Sequence, residues 1–389
     1  MARSPEKFAQ LLTEAVYRIR ILEARTIKKT IRIVEDELGY ALGREGSSCI
    51  EYWRKGNIPA TMDDVEKLAR ELVKRGGLDR EGLEQFLASA GYPQPTSSCD
   101  ELFPLAFHEE LAPFVVGPPI LHPRQFFGRE QELTRIFGLW QRFPLQNVAV
   151  IGKHRSGKTS LLHYLAKVTM ARPGQLRPGQ RTDWLSQPER YQWAFVDFQN
   201  PRMCDRDRLL RHLLGLLNMP VPDACDLNSF IDIVSHHLQR PTLILMDEIG
   251  AGMASPELDQ QFWWSLRSLG SNYTGGKLGF ALTAHEPPSI LAQAYDKPSP
   301  FFNIFGHTLT LGPLSDAEAR ELVASSPEPF DPVDVEWILN QSGRWPALLQ
   351  VLCHTRLAAP VEGWSDNAWR EEGLSRMAPL RHVLESEHE

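Results

Sequence analysis

Phe8, Leu11, Leu12, Ala15, Val16 and Ile19 recur at helical spacing, so the chain is expected to open with an amphipathic helix. Val65, Leu68, Ala69 and Leu72 repeat the same stripe, and residues 78–92 read as a further short helix stopped by Gly91. Past residue 126 the pattern changes. Short continuous apolar runs at 148–151, 193–198, 241–246, 278–284 and 308–311 alternate with helical stripes such as Leu161, Leu162 and Leu165, or Leu209, Leu210, Leu213, Leu214 and Leu217. Unbroken apolar runs predict strands buried on both faces, and their alternation with helices predicts a parallel sheet. Beyond residue 313 the helical period returns, with Ser315 and Glu318 spaced as a capping box and a second helix over 333–339. The predicted fold is therefore multidomain. An all-α domain spans 1–92, a Pro-rich connector 93–125, an α/β domain with a parallel sheet 126–312, and a helical lid subdomain and tail 313–389.

Composition narrows the class. The 389 residues are 42% hydrophobic and 23% charged, the balance of a soluble globular chain. No apolar run approaches membrane-spanning length, and residues 1–10 carry no signal-peptide core, so no membrane partner is expected. Five scattered cysteines (Cys49, Cys99, Cys204, Cys225, Cys353) indicate neither a zinc site nor a disulfide framework, and a reduced, cytoplasmic protein is expected. Net charge is −7; residues 1–95 carry 16 Lys and Arg against 15 Asp and Glu, leaving −8 for the remainder. A globally basic protein is excluded. A local basic face is not: Arg18, Arg20, Arg25, Lys28, Lys29 and Arg32 are opposed only by Glu23, as a solvated helical face or as a phosphate-contacting one.

The most specific chemistry lies at the end of the first buried run. Gly152, Lys153, His154, Arg155, Ser156, Gly157, Lys158 and Thr159 fit G-x-x-x-x-G-K-[ST] in every specified position, between a strand and a helix. Such glycines let successive backbone N–H groups, through Ser160, point at phosphate oxygens, and the helix N-terminus adds its positive end. Lys158 would reach the β- and γ-phosphates, and Thr159 would ligate Mg²⁺. The run 241–246 ends in Asp247 and Glu248, the Walker B pattern, with Asp247 expected to hold Mg²⁺ through water and Glu248 to polarise the attacking water.

Two resemblances extend this. Residues 25–75, with Leu42-Gly43, then Ile50, Trp53, Gly56, Pro59 and a Leu68-Ala69-x-x-Leu72 helix, resemble the phage-repressor type of helix-turn-helix domain. The resemblance implies duplex DNA as partner, with Ser47, Ser48, Glu51 and Tyr52 facing the groove and Arg54 and Lys55 near the phosphate backbone. Protein contact by the same domain remains the alternative.

Phe126-Phe127-Gly128-Arg129-Glu130, about twenty residues before the phosphate loop, resembles the hydrophobic-hydrophobic-Gly-Arg-Glu motif of the STAND signalling ATPases and their AAA+ relatives. That resemblance implies Phe127, Gly128 and Arg129 at the adenine side and Thr283 or His285 at the position of a γ-phosphate sensor. It also implies a lid element at Gly343-Arg344-Trp345-Pro346 whose Pro346 contacts nucleotide. Arg267 is either an arginine finger or a surface ion-pair residue. The family's winged helix and repeats do not follow, which leaves open an AAA+ regulator of transposition or replication. The resemblance implies ATP and Mg²⁺ as cofactors, slow ATP hydrolysis, an ATP-dependent homo-oligomer and a protein effector.

Overall fold

The computed structural model of the chain describes residues 3–23, 29–92, 111–171 and 175–384. Arg25, Lys28, the expected linker at 93–98, the connector up to residue 110 and the last five residues of the tail lie outside them. Two units separate, residues 1–111 and 112–389, a division that falls inside the expected connector.

The first unit is helical: α1 (Pro5–Glu23), α2 (Ile31–Ala41), α3 (Ser48–Arg54), α4 (Met62–Lys74) and α5 (Arg80–Ser89). Thr30, Thr61 and Asp79 stand at the N-caps of α2, α4 and α5, each accepting from a backbone N–H three residues on. Phe8, Leu12, Val16, Ile19, Val34, Leu38, Ile50, Trp53, Leu68, Leu72 and Phe86 converge into one core. The helix α2 leaves through Gly43 at φ +72°. A Cβ on Gly39 would stand 2.0 Å from the Gly46 carbonyl oxygen, so only glycine lets the turn after α2 fold back against it.

The second unit is built on five parallel strands: β1 (Val148–Ile151), β2 (Gln192–Asp197), β3 (Thr242–Asp247), β4 (Leu278–Ala284) and β5 (His307–Thr310), in spatial order β2-β3-β4-β1-β5. Preceding β1 is α6 (Glu130–Trp140); between the strands lie α7 (Lys158–Val168), α8 (Arg206–Leu216), α9 (Leu227–His237), α10 (Ile249–Ala254), α11 (Gln260–Ser268) and α12 (Pro288–Ala294). The central strands β3 and β4 are buried along their whole length, which explains their unbroken apolar sequence. Two apolar cores form. One gathers Leu210, Leu213, Trp263, Phe280 and Phe301, the other Phe137, Trp140, Leu161, Leu165 and Trp184.

The helical segment expected as a lid follows in the same unit: α13 (Asp316–Ala324), α14 (Pro332–Ser342), α15 (Pro346–Glu362) and α16 (Asp366–Met377). Both reciprocal bonds of the Ser315–Glu318 capping box are present at α13. The described end of the connector packs onto this unit. Phe114 enters the lid core, the Val115 N–H donates to Gln350, and the Ile120 N–H donates to Ser160 on α7 at 3.0 Å.

Candidate functional site

The phosphate loop leaves β1 at Gly152 and enters α7 at Lys158. A Cβ at Gly152 would lie 2.9 Å from Ser156 Oγ and 3.0 Å from the Leu311 carbonyl oxygen, so glycine is dictated by close approach. Arg155 adopts φ +66° and Gly157 φ +96°, conformations that curl the loop. Lys158 is buried, and its Nζ donates to the Gly152 and Lys153 carbonyls at 2.8 and 2.9 Å. Burial pulls its pKa below the ordinary lysine value, against the attraction of Glu248 and Asp247. Ser156 Oγ is buried without a hydrogen-bond partner among the described residues. The Ser160 hydroxyl accepts from the Ile120 N–H, so its side chain anchors the connector. Arg155 donates to the Gly117 carbonyl in the same segment.

When loop N–H groups turn inward, loop carbonyls turn outward and need donors. Arg129 supplies one. It sits at φ +66° just before α6, is 4% exposed, and donates through Nη2 to the Ser156 carbonyl at 3.2 Å and the Gly312 carbonyl at 2.6 Å. Nη1 meets Glu132 at 3.3 Å. Burial lowers its pKa, and Glu132 opposes the shift. This guanidinium therefore ties the phosphate loop to the point where the sheet hands over to the lid.

The expected adenine-side ring of Phe127 is placed otherwise. Phe127 is buried in the lid core, with the Arg177 guanidinium 3.9 Å over its ring. Arg177 also donates to the Arg124 and Phe126 carbonyls and pairs with Glu321 on α13 at 3.0 Å. Phe126 stacks on Tyr164 at 4.2 Å. Gly128 packs against Glu318 of the capping box. Neither aromatic ring is left open to a base, because apolar burial of both outweighs their display.

At the carboxyl edge of the sheet, Asp247 is buried and accepts from two hydroxyls, Thr159 Oγ1 to Oδ2 at 2.8 Å and Thr283 Oγ1 to Oδ1 at 2.5 Å. The Glu248 N–H donates to Thr283 Oγ1 at 2.9 Å. Glu248 itself adopts φ +53°, ψ +55° at the N-cap of α10, a left-handed conformation that costs a non-glycine residue. Thr283, expected at the position of a γ-phosphate sensor, turns its hydroxyl onto Asp247 in this structure. A threonine hydroxyl has one proton to donate, Asp247 already takes it, and the residue is fully buried. His285, two residues on, is exposed beside Gly250 and Tyr295.

Arg267 stands exposed in the last turn of α11 and forms no ion pair among the described residues, so the surface-pair alternative is not realised. Its helix ends on the way to the amino end of β4, whereas Asp247, Glu248 and Thr283 lie at the carboxyl edge. It takes no part in the cluster of its own chain. Pro346 begins α15, and the preceding Trp345 brings the lid to the loop, its ring centroid 6.0 Å from Lys153 Nζ. Sequence reasoning passed over Trp345, the clasp formed by Arg129 and the shared hydroxyl of Thr283. The contact of Thr283 with Asp247 becomes visible only once β3 and β4 are known to be neighbours.

Among the described residues no group of three or more His, Cys, Asp or Glu is placed to hold a metal alone. Thr159 and Asp247 nevertheless offer two hard oxygen ligands 2.8 Å apart beside a phosphate loop. That set suits Mg²⁺, which takes one or two protein oxygens and completes its shell with phosphate and water.

Within the first unit, Ile50 and Trp53 are buried as expected, but two groove-side assignments change. Ser47 is 6% exposed and donates to Glu51 Oε1 at 2.9 Å, so neither it nor the Glu51 carboxylate it engages is a free reader. Arg54 pairs with the buried Glu35, donates to Thr13 and lies over Tyr17. Desolvating Glu35 requires that counter-charge, which takes Arg54 away from the surface. Ser48, Lys55 and Tyr52 (59% exposed) remain outward. Within the basic run two described residues are paired: Arg18 with Asp79 at 3.0 Å, and Lys29 with Glu23 and Glu37 at 2.9 and 2.7 Å.

No protein-family model matches the chain, and no curated protein matches it in sequence. Among solved structures it is similar to the ORC2 protein of Aeropyrum pernix in its ADPNP–ADP complexes, with TM-score 0.50, 16% identity, and coverage of 67% of this chain and 71% of that one. It is also similar to a Walker-type ATPase of Pyrococcus abyssi, with TM-score 0.49, 14% identity, and coverage of 69% and 78%. The likeness to the Aeropyrum protein is one of fold: the second unit is a parallel-sheet α/β P-loop NTPase fold. No described helix is long and apolar enough to cross a membrane.

Proposed function

We propose that the second unit binds ATP with Mg²⁺ and hydrolyses the β–γ anhydride slowly, as a nucleotide-gated switch. The observation that carries this reading is the convergence of Lys158, Thr159, Asp247 and Glu248 at one sheet edge, with Thr159 bonded directly to Asp247. The backbone from Lys153 to Ser160 and the Lys158 ammonium bind the phosphates, and Thr159 and Asp247 hold the cation. Mg²⁺, when bound, neutralises charge on the β- and γ-oxygens. Glu248 orients a water in line with the γ-phosphorus and accepts its proton as the new P–O bond forms. The bond to the bridging oxygen breaks, ADP leaves, and the proton passes to the released phosphate. Lys158 stabilises charge developing on the transferred group.

Arg129 and the Lys153–Trp345 contact supply routes from the loop to the lid. The proposed site thus comprises the phosphate loop, Asp247, Glu248, Arg129 and the Pro346 end of the lid, in a cytoplasmic protein that assembles with ATP. Arg267, exposed on α11, would act only across such an assembly. In the favoured reading, the first unit contacts duplex DNA through Ser48, Tyr52 and Lys55, and the switch serves transcription or a defence response; the AAA+ regulator of transposition or replication is a variant of it. A second reading, docking of a protein effector, is favoured by the internal commitment of Ser47 and Arg54.

Calorimetric titration of ATP with and without Mg²⁺ tests the site. Micromolar binding in wild type that is lost in Lys158→Ala is expected. Equal binding by the two proteins would sink the assignment.

A further inference from the structure

We infer that Thr283 is a positioning residue that fixes both acids of the site through one hydroxyl. This rests on the ATP-site reading and deepens it. Thr283 lies near the end of β4, in register beside β3, where Met246 pairs with Leu282, so its side chain meets Asp247 at the carboxyl edge. The hydroxyl proton goes to Asp247 Oδ1, and a lone pair takes the Glu248 N–H. The residue is fully buried, so water does not compete for either bond.

The division of labour on Asp247 follows from its two oxygens. Oδ2 faces Thr159, on the side where a cation would sit, and Oδ1 faces Thr283. When a cation takes the Thr159 hydroxyl as a ligand, the bond from Thr159 to Asp247 is given up. Thr283 is then the remaining hydroxyl anchor that keeps the carboxylate from turning. The same hydroxyl holds the backbone at Glu248, whose left-handed conformation aims the carboxylate and persists only where its surroundings over-determine it. Thr283 touches neither the phosphates nor the attacking water in this account. It sets where the groups that do so stand.

Thr283→Val keeps shape and burial while removing the hydroxyl, and Thr283→Ser keeps the hydroxyl. Binding of a fluorescent ADP analogue, titrated with Mg²⁺, reads the effect on Asp247 independently of turnover. The Mg²⁺ concentration for half-maximal enhancement is expected to rise about 10- to 100-fold in T283V, with binding in chelator unchanged. At saturating Mg²⁺, kcat is expected to stay depressed about tenfold or more while KM for ATP moves less than about threefold, the split expected when Glu248 is misaimed. T283S is expected to restore both. T283A, which empties the position, is expected to reproduce the Mg²⁺ shift of T283V.

A T283V protein with wild-type Mg²⁺ titration and wild-type kcat overturns the proposal. So does loss of cooperative unfolding in both hydroxyl-free variants with T283S intact, since the hydroxyl would then serve folding. If wild type itself binds no nucleotide, the ATP reading fails instead, which keeps the two failures apart.

Discussion

Replacing Arg129 by Ala removes the donor of two hydrogen bonds to backbone carbonyls, those of Ser156 in the phosphate loop and Gly312 at the start of the lid. A hydrogen bond to a charged group contributes about 1.5–3 kcal/mol, and losing the donor leaves a shielded carbonyl unsatisfied. Against this stands the relief of no longer burying a guanidinium, whose charged form is disfavoured by its desolvation. The net expectation is a loss of roughly 2–4 kcal/mol. For a unit of this size each kcal/mol moves the melting temperature by about 2–4 °C, so a fall of roughly 5–15 °C is expected. Thermal unfolding of the full chain measures it, followed in the transition that ATP and Mg²⁺ shift upward, because nucleotide stabilises the unit that binds it. Arg129→Lys keeps a charge but has one nitrogen where the guanidinium has two, so it cannot hold the two carbonyls through Nη2 and Glu132 through Nη1 at once, and is expected to recover less than half of the loss. A melting temperature within about 1 °C of wild type for the Ala variant, or full recovery by Lys, would refute the clasp.

Three further expectations follow, one at the phosphate loop and two in the first unit. Burial holds the Lys158 pKa below its ordinary value, and a bound phosphate would raise it again, so binding takes up a proton at a pH between the two values. ATP affinity should therefore fall as pH rises through that window, and calorimetry in buffers of different ionisation heat should report proton uptake on binding to the wild type, whereas an uptake of zero across that window would refute the expectation. In the first unit, Glu35→Ala strands Arg54 and is expected to cost about 2–4 kcal/mol of stability. Lys55→Ala should leave stability within about 0.5 kcal/mol and, if duplex DNA is bound, reduce the slope of log affinity against log salt by about one. An unchanged salt slope in Lys55→Ala would favour a protein partner.

The phosphate loop and the acids of β3 were legible because their chemistry is local. A strand, a turn with obligatory glycines and a helix N-terminus follow one another in sequence, and the acids end a buried run. Strand existence was equally local, since the interiors of β3 and β4 are continuous apolar runs. What escaped depends on partners far along the chain. Phe127 looked available to a base until Arg177, fifty residues on, was found over its ring. Arg54 looked like a phosphate contact until packing of α2 and α3 placed Glu35 beside it. Thr283 resembled a sensor by its place at a strand end, but the neighbour relation of β3 and β4 turned its hydroxyl onto Asp247. The connector gave no periodic signal, and its described end is anchored by the burial of Phe114 and by scattered bonds to Gln350, Ser160 and Arg155, all distant in sequence.

The most direct test of the central claim is a comparison of nucleotide turnover and retention in wild type and Glu248→Gln, loaded with ATP and Mg²⁺ and then freed of unbound nucleotide. The carboxylate that accepts the water's proton is replaced by an amide of the same shape, so binding is expected to persist while hydrolysis slows at least about a hundredfold. Wild type should then carry mostly ADP, and the variant mostly intact ATP. Identical ADP content and identical phosphate release in the two proteins would contradict the account.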